Sequence, residues 1–220
     1  PMKLAIGSGP VAVVNDNGGR LYDFYQESNN RVSVRDPDLY RLSVPWPDSS
    51  TQPFDKGAIG AIFTTDVLSF HISGAAGIGN FGVLDVRGQP SARAAIASFA
   101  ELVKLSLATA LDVDPSEFRV GRQAIAIPAC ETEQVFLADS LENGAGYARW
   151  ASEPAHMEMA IRAFHASVEP KWAHSNHAGD CDRSCPDCLR NYGNRFSHGM
   201  LDWRLALDLA DLVLGKHIKL

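Results

Sequence analysis

Apolar residues follow two spacings along this chain: short runs and alternation in the first half, and helical spacing in the second. Residues 11–14 are a short apolar run, Asn15-Asp-Asn-Gly-Gly19 is a strong turn signal, and residues 21–25 form a second run. Together they predict a β-hairpin, because Asn-Gly steps accept the left-handed positions of a tight turn. Residues 35–56 carry Pro37, Pro45, Pro47 and Pro53 among polar residues and read as a loop or linker. Residues 60–72 predict a long strand, and 123–127 and 134–137 predict two more, joined by a turn that holds Cys130.

Helical spacing begins at residue 91. Ile96, Phe99, Val103, Leu107 and Leu111 recur three or four residues apart, which predicts a helix over 91–111 with one buried stripe and Ser91 as its N-cap. A second helix is expected over 154–168, stopped by Pro170. A third covers 201–213, with leucines 201, 205, 209 and 212 on one face, Asp202 near its start and Gly215 just past its end. Strands first, then strands mixed with helices, predict an α+β fold with a mainly antiparallel sheet. The expected division is a hairpin and Pro-rich linker over 1–56, followed by an α+β domain over 57–220.

The 220 residues are 45% hydrophobic, enough for a sizeable core. Apolar stretches are broken by Ser, Thr, Asp or Gly before the ~18 residues a bilayer span needs, so a soluble protein is expected. A formal net charge of −6 argues against a free-standing protein that coats DNA. Between Lys171 and Arg204 the balance is near neutral, with five basic and four acidic residues, so any nucleic-acid contact has to be local or supplied by another domain. Pro1 ahead of Met2 does not read as a native start, and the chain is expected to be a piece of something longer.

Chemistry concentrates in one short run, His177-Ala-Gly-Asp-Cys181-Asp-Arg-Ser-Cys185-Pro-Asp-Cys188. Three of the four cysteines stand at Cys-x3-Cys-x2-Cys spacing, the pattern with which thiolates collect a tetrahedral zinc ion near the C-terminus. A disulfide framework is the competing reading, but four cysteines in 220 residues are too sparse for one, and a reducing compartment, the cytoplasm, is expected. The fourth ligand is open. His177 ranks first because a local Cys3His set closes without long-range constraint, Cys130 second, and His174 and His198 are within reach. With four protein ligands the site is closed and structural.

Other motifs compete. The glycine-rich stretch 74–82 lacks the Gly-Lys-Ser/Thr of a nucleotide loop. Residues 139–147, ending a strand in Asp139 and passing through Asn143-Gly-Ala-Gly146, read as a turn into a helix or as a close-approach site for a partner. His156 and Glu158 with Cys185-Pro-Asp-Cys188 evoke a zinc deaminase, although Pro186 sits inside the cysteine pair rather than before it. Asp66, Asp139 and Glu142 are the residues of a metal-dependent nuclease reading.

Cys185-Pro-Asp-Cys188-Leu-Arg-Asn-Tyr192, Asn194, His198, Leu201-Asp-Trp-Arg-Leu-Ala-Leu-Asp208, residues 136–147, and residues 60–70 with their Thr64-Thr65-Asp66 resemble the MrfA-like zinc-binding domain found at the C-terminus of superfamily-two DEAD/DEAH-box helicases. A similar variant occurs in DrmB-like components of DISARM antiphage defence. The resemblance covers residues 57–214. It implies a non-catalytic zinc-bearing accessory domain that packs on helicase core domains, in cis or in trans, meets DNA through the assembled complex and serves repair or defence. Many relatives carry four cysteines near one another where this chain clusters three. No nucleotide-loop or DEAD-box motif is present, so ATP hydrolysis is not expected of this chain itself.

Overall fold

The computed structural model describes residues 2–15, 20–26, 30–36, 53–72, 85–127 and 130–215. Two compact units emerge, one of Pro1–Gly9 with Thr64–Leu220, the other Pro10–Phe63. Among the described residues the strands are β1 (Met2–Asn15), β2 (Tyr22–Gln26), β3 (Val32–Arg35), β4 (Asp55–Gly57), β5 (Ile59–Ile72), β6 (Phe118–Ile127) and β7 (Cys130–Asp139). The helices are α1 (Pro90–Leu111), α2 (Tyr147–Ala151), α3 (Pro154–Trp172), α4 (Ser175–Asp180) and α5 (Trp203–Val213).

The smaller unit holds a three-stranded sheet in the order β3-β2-β4, with both pairings antiparallel. The expected hairpin between residues 11–14 and 21–25 is not the pairing observed: β2 bonds to β3 and β4, whereas β1 neighbours β5. An Asn-Gly step signals a chain reversal, but which neighbour a strand takes is decided by packing over longer distances. Most of the Pro-rich stretch lies outside the described residues, and its end forms β4.

In the larger unit the sheet order is β1-β5-β7-β6. Strands β6 and β7 form a hairpin in register from Phe118 opposite Asp139 to Ile127 opposite Cys130, and β5 runs antiparallel to β7 with Val67 opposite Ala138. The α+β class and the antiparallel sheet are as the sequence predicts. The predicted strands at 60–72, 123–127 and 134–137 are β5, β6 and β7, the latter two longer than predicted because Gly121 and the charged Arg119, Arg122, Glu131 and Glu133 continue the ladder. Arg122 and Glu133 pair at 2.8 Å.

Helix α1 is the centre of the core. Its apolar stripe packs on α3, α5 and the sheet, and Phe99 meets Phe70 of β5 edge-on at 6.1 Å between ring centroids. Its N-cap is Gln89 rather than Ser91, because Pro90 occupies the first helical position, where its missing N–H costs nothing. It ends at Asp112 in the left-handed region (φ 53°). Contrary to the expectation for apolar stretches, α1 is long and apolar enough to cross a membrane by length and composition. Most of it is buried inside the protein, which is how a soluble core helix meets the same criterion.

Helix α3 runs through Pro170 to Trp172 instead of stopping before it. Proline removes its own N–H bond and crowds the carbonyl four residues back, and in the last turn that cost is offset by burial of Trp172, which packs edge-on against Phe164. Asp202 caps α5 by accepting from the Arg204 N–H, and its own N–H donates to Ser98 Oγ of α1 at 2.8 Å. The helix starts at Trp203 rather than at 201, and its leucine face points into the domain, with Leu207 and Leu209 buried and Leu201 buried just ahead of it.

Candidate metal centre

The knot hangs from this core. Helix α3 ends at Trp172, His174 caps the short α4, and Cys181 closes α4 by donating its N–H to the His177 carbonyl at 2.8 Å. The chain then turns through Pro186, with the N–H groups of Cys188 and Arg190 donating to the Cys185 carbonyl at 3.1 and 3.0 Å. Cys181, Cys188 and Leu189 belong to the same buried cluster as Phe99, Leu102 and Leu201. Metal site and hydrophobic core are thus one structure.

Ligand atoms of His177, Cys181, Cys185 and Cys188 all lie within 4.8 Å of one another. The sulfurs of Cys181 and Cys188 are 3.9 Å apart, those of Cys185 and Cys188 3.8 Å, and Cys185 Sγ is 3.4 Å from His177 Nε2. A zinc tetrahedron with Zn–S of about 2.3 Å and Zn–N of about 2.0 Å has S···S edges of about 3.8 Å and S···N edges of about 3.5 Å. The three observed edges match. Cys181, Cys185 and Cys188 are free thiols, so the disulfide reading does not apply to them.

Hydrogen bonds orient the donors. A carbonyl oxygen only accepts, so the 2.9 Å contact of His177 Nδ1 with the Trp172 carbonyl makes Nδ1 the protonated nitrogen. Nε2 is left with a lone pair facing the sulfurs, the arrangement that fixes metal-ligating imidazoles elsewhere. The His177 ring packs edge-on against Trp203 at 5.5 Å, and Trp203 Nε1–H donates to the Cys181 carbonyl at 3.3 Å. The Cys185 N–H donates to Cys188 Sγ at 3.1 Å, which favours the thiolate. Burial dominates against it: with the neighbouring Cys185 and Cys188 it pushes the Cys181 thiol up to about 12, and it raises Cys188 as well. Buried, crowded thiols keep their protons until a cation replaces them, so metal uptake here releases protons.

Of the other predicted candidates, Cys130 opens β7, and its side chain lies outside the described residues, as does the glycine-rich stretch 74–82. His174 spends Nδ1 on the Asn176 N–H, and His198 Nε2 contacts the Asn191 carbonyl and Asn194 Oδ1, so neither joins the cluster. His156 stacks on Trp150 and bonds the Trp150 carbonyl, while Glu158 pairs with Arg162 on the solvent side of α3. The structure does not bring these deaminase candidates to the thiols. Asp139, fully buried, accepts from the N–H groups of Ala145, Tyr147 and Ala148 at 2.8–3.1 Å. Asp66 faces Arg149 at 3.4 Å, and a Cβ on Gly144 (φ +79°) would meet its carboxylate at 3.1 Å. Glu142 is exposed. Asp66, Asp139 and Glu142 do not form a metal-ligand group among the described residues.

Sequence reasoning missed the Trp172 carbonyl and Trp203. A backbone acceptor leaves no mark in a sequence, and Trp203 reads simply as a core residue.

Parts of this chain are similar to known proteins. Residues 99–189, which include all four clustered donors, match the family model described as MrfA Zn-binding domain. The chain is 28% identical over 196 residues to the Druantia protein DruE of Escherichia coli (strain UMEA 4076-1), covering 86% of this chain and 10% of DruE. The crystal structure of the DUF1998 helicase MrfA bound to DNA is similar with a TM-score of 0.45 and 13% identity, over 95% of this chain and 25% of that one. Residues 99–189 are thus similar to the MrfA Zn-binding domain, and with the clustered donors of His177, Cys181, Cys185 and Cys188 this makes zinc the cofactor.

Proposed function

We propose that the chain is a non-catalytic module, braced by zinc on His177, Cys181, Cys185 and Cys188, that docks on helicase core domains and helps shape the path of DNA through the assembly. One observation carries the reading: four protein donors lie within 4.8 Å of one another, with three edges of zinc-tetrahedron length, and four protein ligands on one zinc leave no position for a reacting water or substrate. When bound, the metal supplies folding energy, tying α4 and the cysteine turn to α3 and α5. The match to the zinc-binding domain of MrfA, itself a helicase, supports the helicase association. DruE, of which the chain spans 10%, is a Druantia protein, in keeping with a role in defence.

Docking belongs to surfaces other than α5, whose leucine face is used inside the domain. The test is Cys188→Ser in a full-length helicase that carries this domain. DNA-stimulated ATP turnover is expected to fall while turnover without DNA holds. Deamination or cleavage of DNA by this chain alone, abolished by Glu158→Ala or by the exposed Glu142→Ala respectively, would overturn the reading.

A further inference from the structure

Beyond the cysteine turn, residues 188–201 contain Arg190, Arg195 and His198 and not one Asp or Glu, in a chain whose net charge is −6. Their centre is a short 3₁₀ segment, Tyr192–Ser197, held by a reciprocal capping box between Asn191 and Asn194. Asn194 Nδ2 donates to the Leu189 carbonyl at 2.8 Å, which ties the segment to a residue of the buried core. This capped turn, kinked at Asn194, presents two large rings to solvent, Tyr192 at 81% and Phe196 at 71% exposure. Arg195 stacks on both, its guanidinium 4.5 Å from the Tyr192 centroid and 4.3 Å from that of Phe196. Among the described residues no carboxylate pairs with it; its one hydrogen bond goes to the Tyr192 carbonyl at 3.3 Å.

Two exposed aromatics on a pre-ordered turn mark a contact surface. Ring faces bridged by a planar cation suit unpaired nucleobases, which stack on aromatic and guanidinium planes whatever their identity, while the edges of the guanidinium meet phosphate. The uncompensated positive charge selects an anionic partner over an apolar one. We propose that Tyr192, Arg195 and Phe196 form a stacking platform for one or two unpaired nucleotides of a single strand. This deepens the docking reading by naming the strand that the domain meets.

The test is fluorescence anisotropy of the zinc-loaded 220-residue chain with labelled 15-mers of thymidylate and uridylate and with a 15-base-pair duplex. The single strands should bind in the micromolar range and the duplex more weakly. Tyr192→Ala combined with Phe196→Ala should weaken single-strand binding at least about tenfold, and Tyr192→Trp should retain it. Arg195→Ala should weaken binding and lower its salt slope by about one. Zinc content and thermal midpoint, measured on each variant, should match the parent chain. Single strands that fail to bind the parent chain, or that bind the double variant equally well, overturn the platform. Loss of helicase association with unchanged strand affinity would also overturn it, making this face a protein contact. Strand binding does not depend on a helicase being present, so the docking reading and this one fail separately.

Discussion

Replacing Asp139 by alanine should unfold the chain far more readily without removing any chemistry. Its carboxylate is fully buried at the end of β7 and accepts three backbone N–H bonds, from Ala145 and Ala148 at 2.8 Å and from Tyr147 at 3.1 Å. Thr65 adds a fourth tie at the same corner, its hydroxyl lying 3.1 Å from the Asp139 carbonyl and 2.8 Å from that of Leu141. Hydrogen bonds to a charged acceptor contribute about 1.5–3 kcal/mol each; since three that share one carboxylate do not add, we take about 3 kcal/mol as the cost of Asp139→Ala. At about 2–4 °C per kcal/mol for a chain of this size, the thermal midpoint should fall by about 6–12 °C. Asp139→Asn keeps one accepting oxygen but aims an amide at N–H donors, and should fall in between. The assay is thermal and urea unfolding of the zinc-loaded protein followed by circular dichroism. An Asp139→Ala midpoint within 2 °C of the parent would refute the reasoning and return Asp139 to the catalytic candidates.

Phe99→Ala, at the fully buried edge-on contact with Phe70, should cost about 3–5 kcal/mol in urea unfolding. Asp208 has its carboxyl raised, by burial first and then by Asp211 and Asp202. A raised carboxyl favours the fold below its ordinary value and opposes it once pH rises through the shifted one, so Asp208→Asn should raise the midpoint at pH 7 and leave it unchanged at pH 3. Chelation of zinc should lower the midpoint and expose the apolar surface around Leu189 and Leu201, read as increased dye binding. Cys130→Ser should keep both metal and midpoint.

The sequence reveals most where one residue type has one use. Cysteine spacing locates the metal knot, and the apolar stripe of residues 91–111 locates α1, because thiolates and helical periodicity have few other readings. Strand partners are less legible. The Asn-Gly turn after β1 says that the chain reverses, yet β1 lies beside β5, a neighbour chosen by contacts more than fifty residues apart. Pro170 shows the same limit, since a local rule ends the helix and the packing of Trp172 against Phe164 carries it on. Asp139 at the end of a strand suits a nuclease as well as a cap, and the three N–H partners that make it a cap leave no mark in the sequence. The Tyr192 and Phe196 platform is hidden because aromatic residues are normally read as core.

X-ray absorption of the zinc-loaded chain tests the central claim most directly, because it counts the donors around the metal. One zinc per chain is expected, with three sulfurs at about 2.3 Å and one nitrogen at about 2.0 Å, and with the nitrogen shell and tight binding both lost in His177→Ala. A four-sulfur shell that survives His177→Ala and disappears in Cys130→Ser would contradict the account.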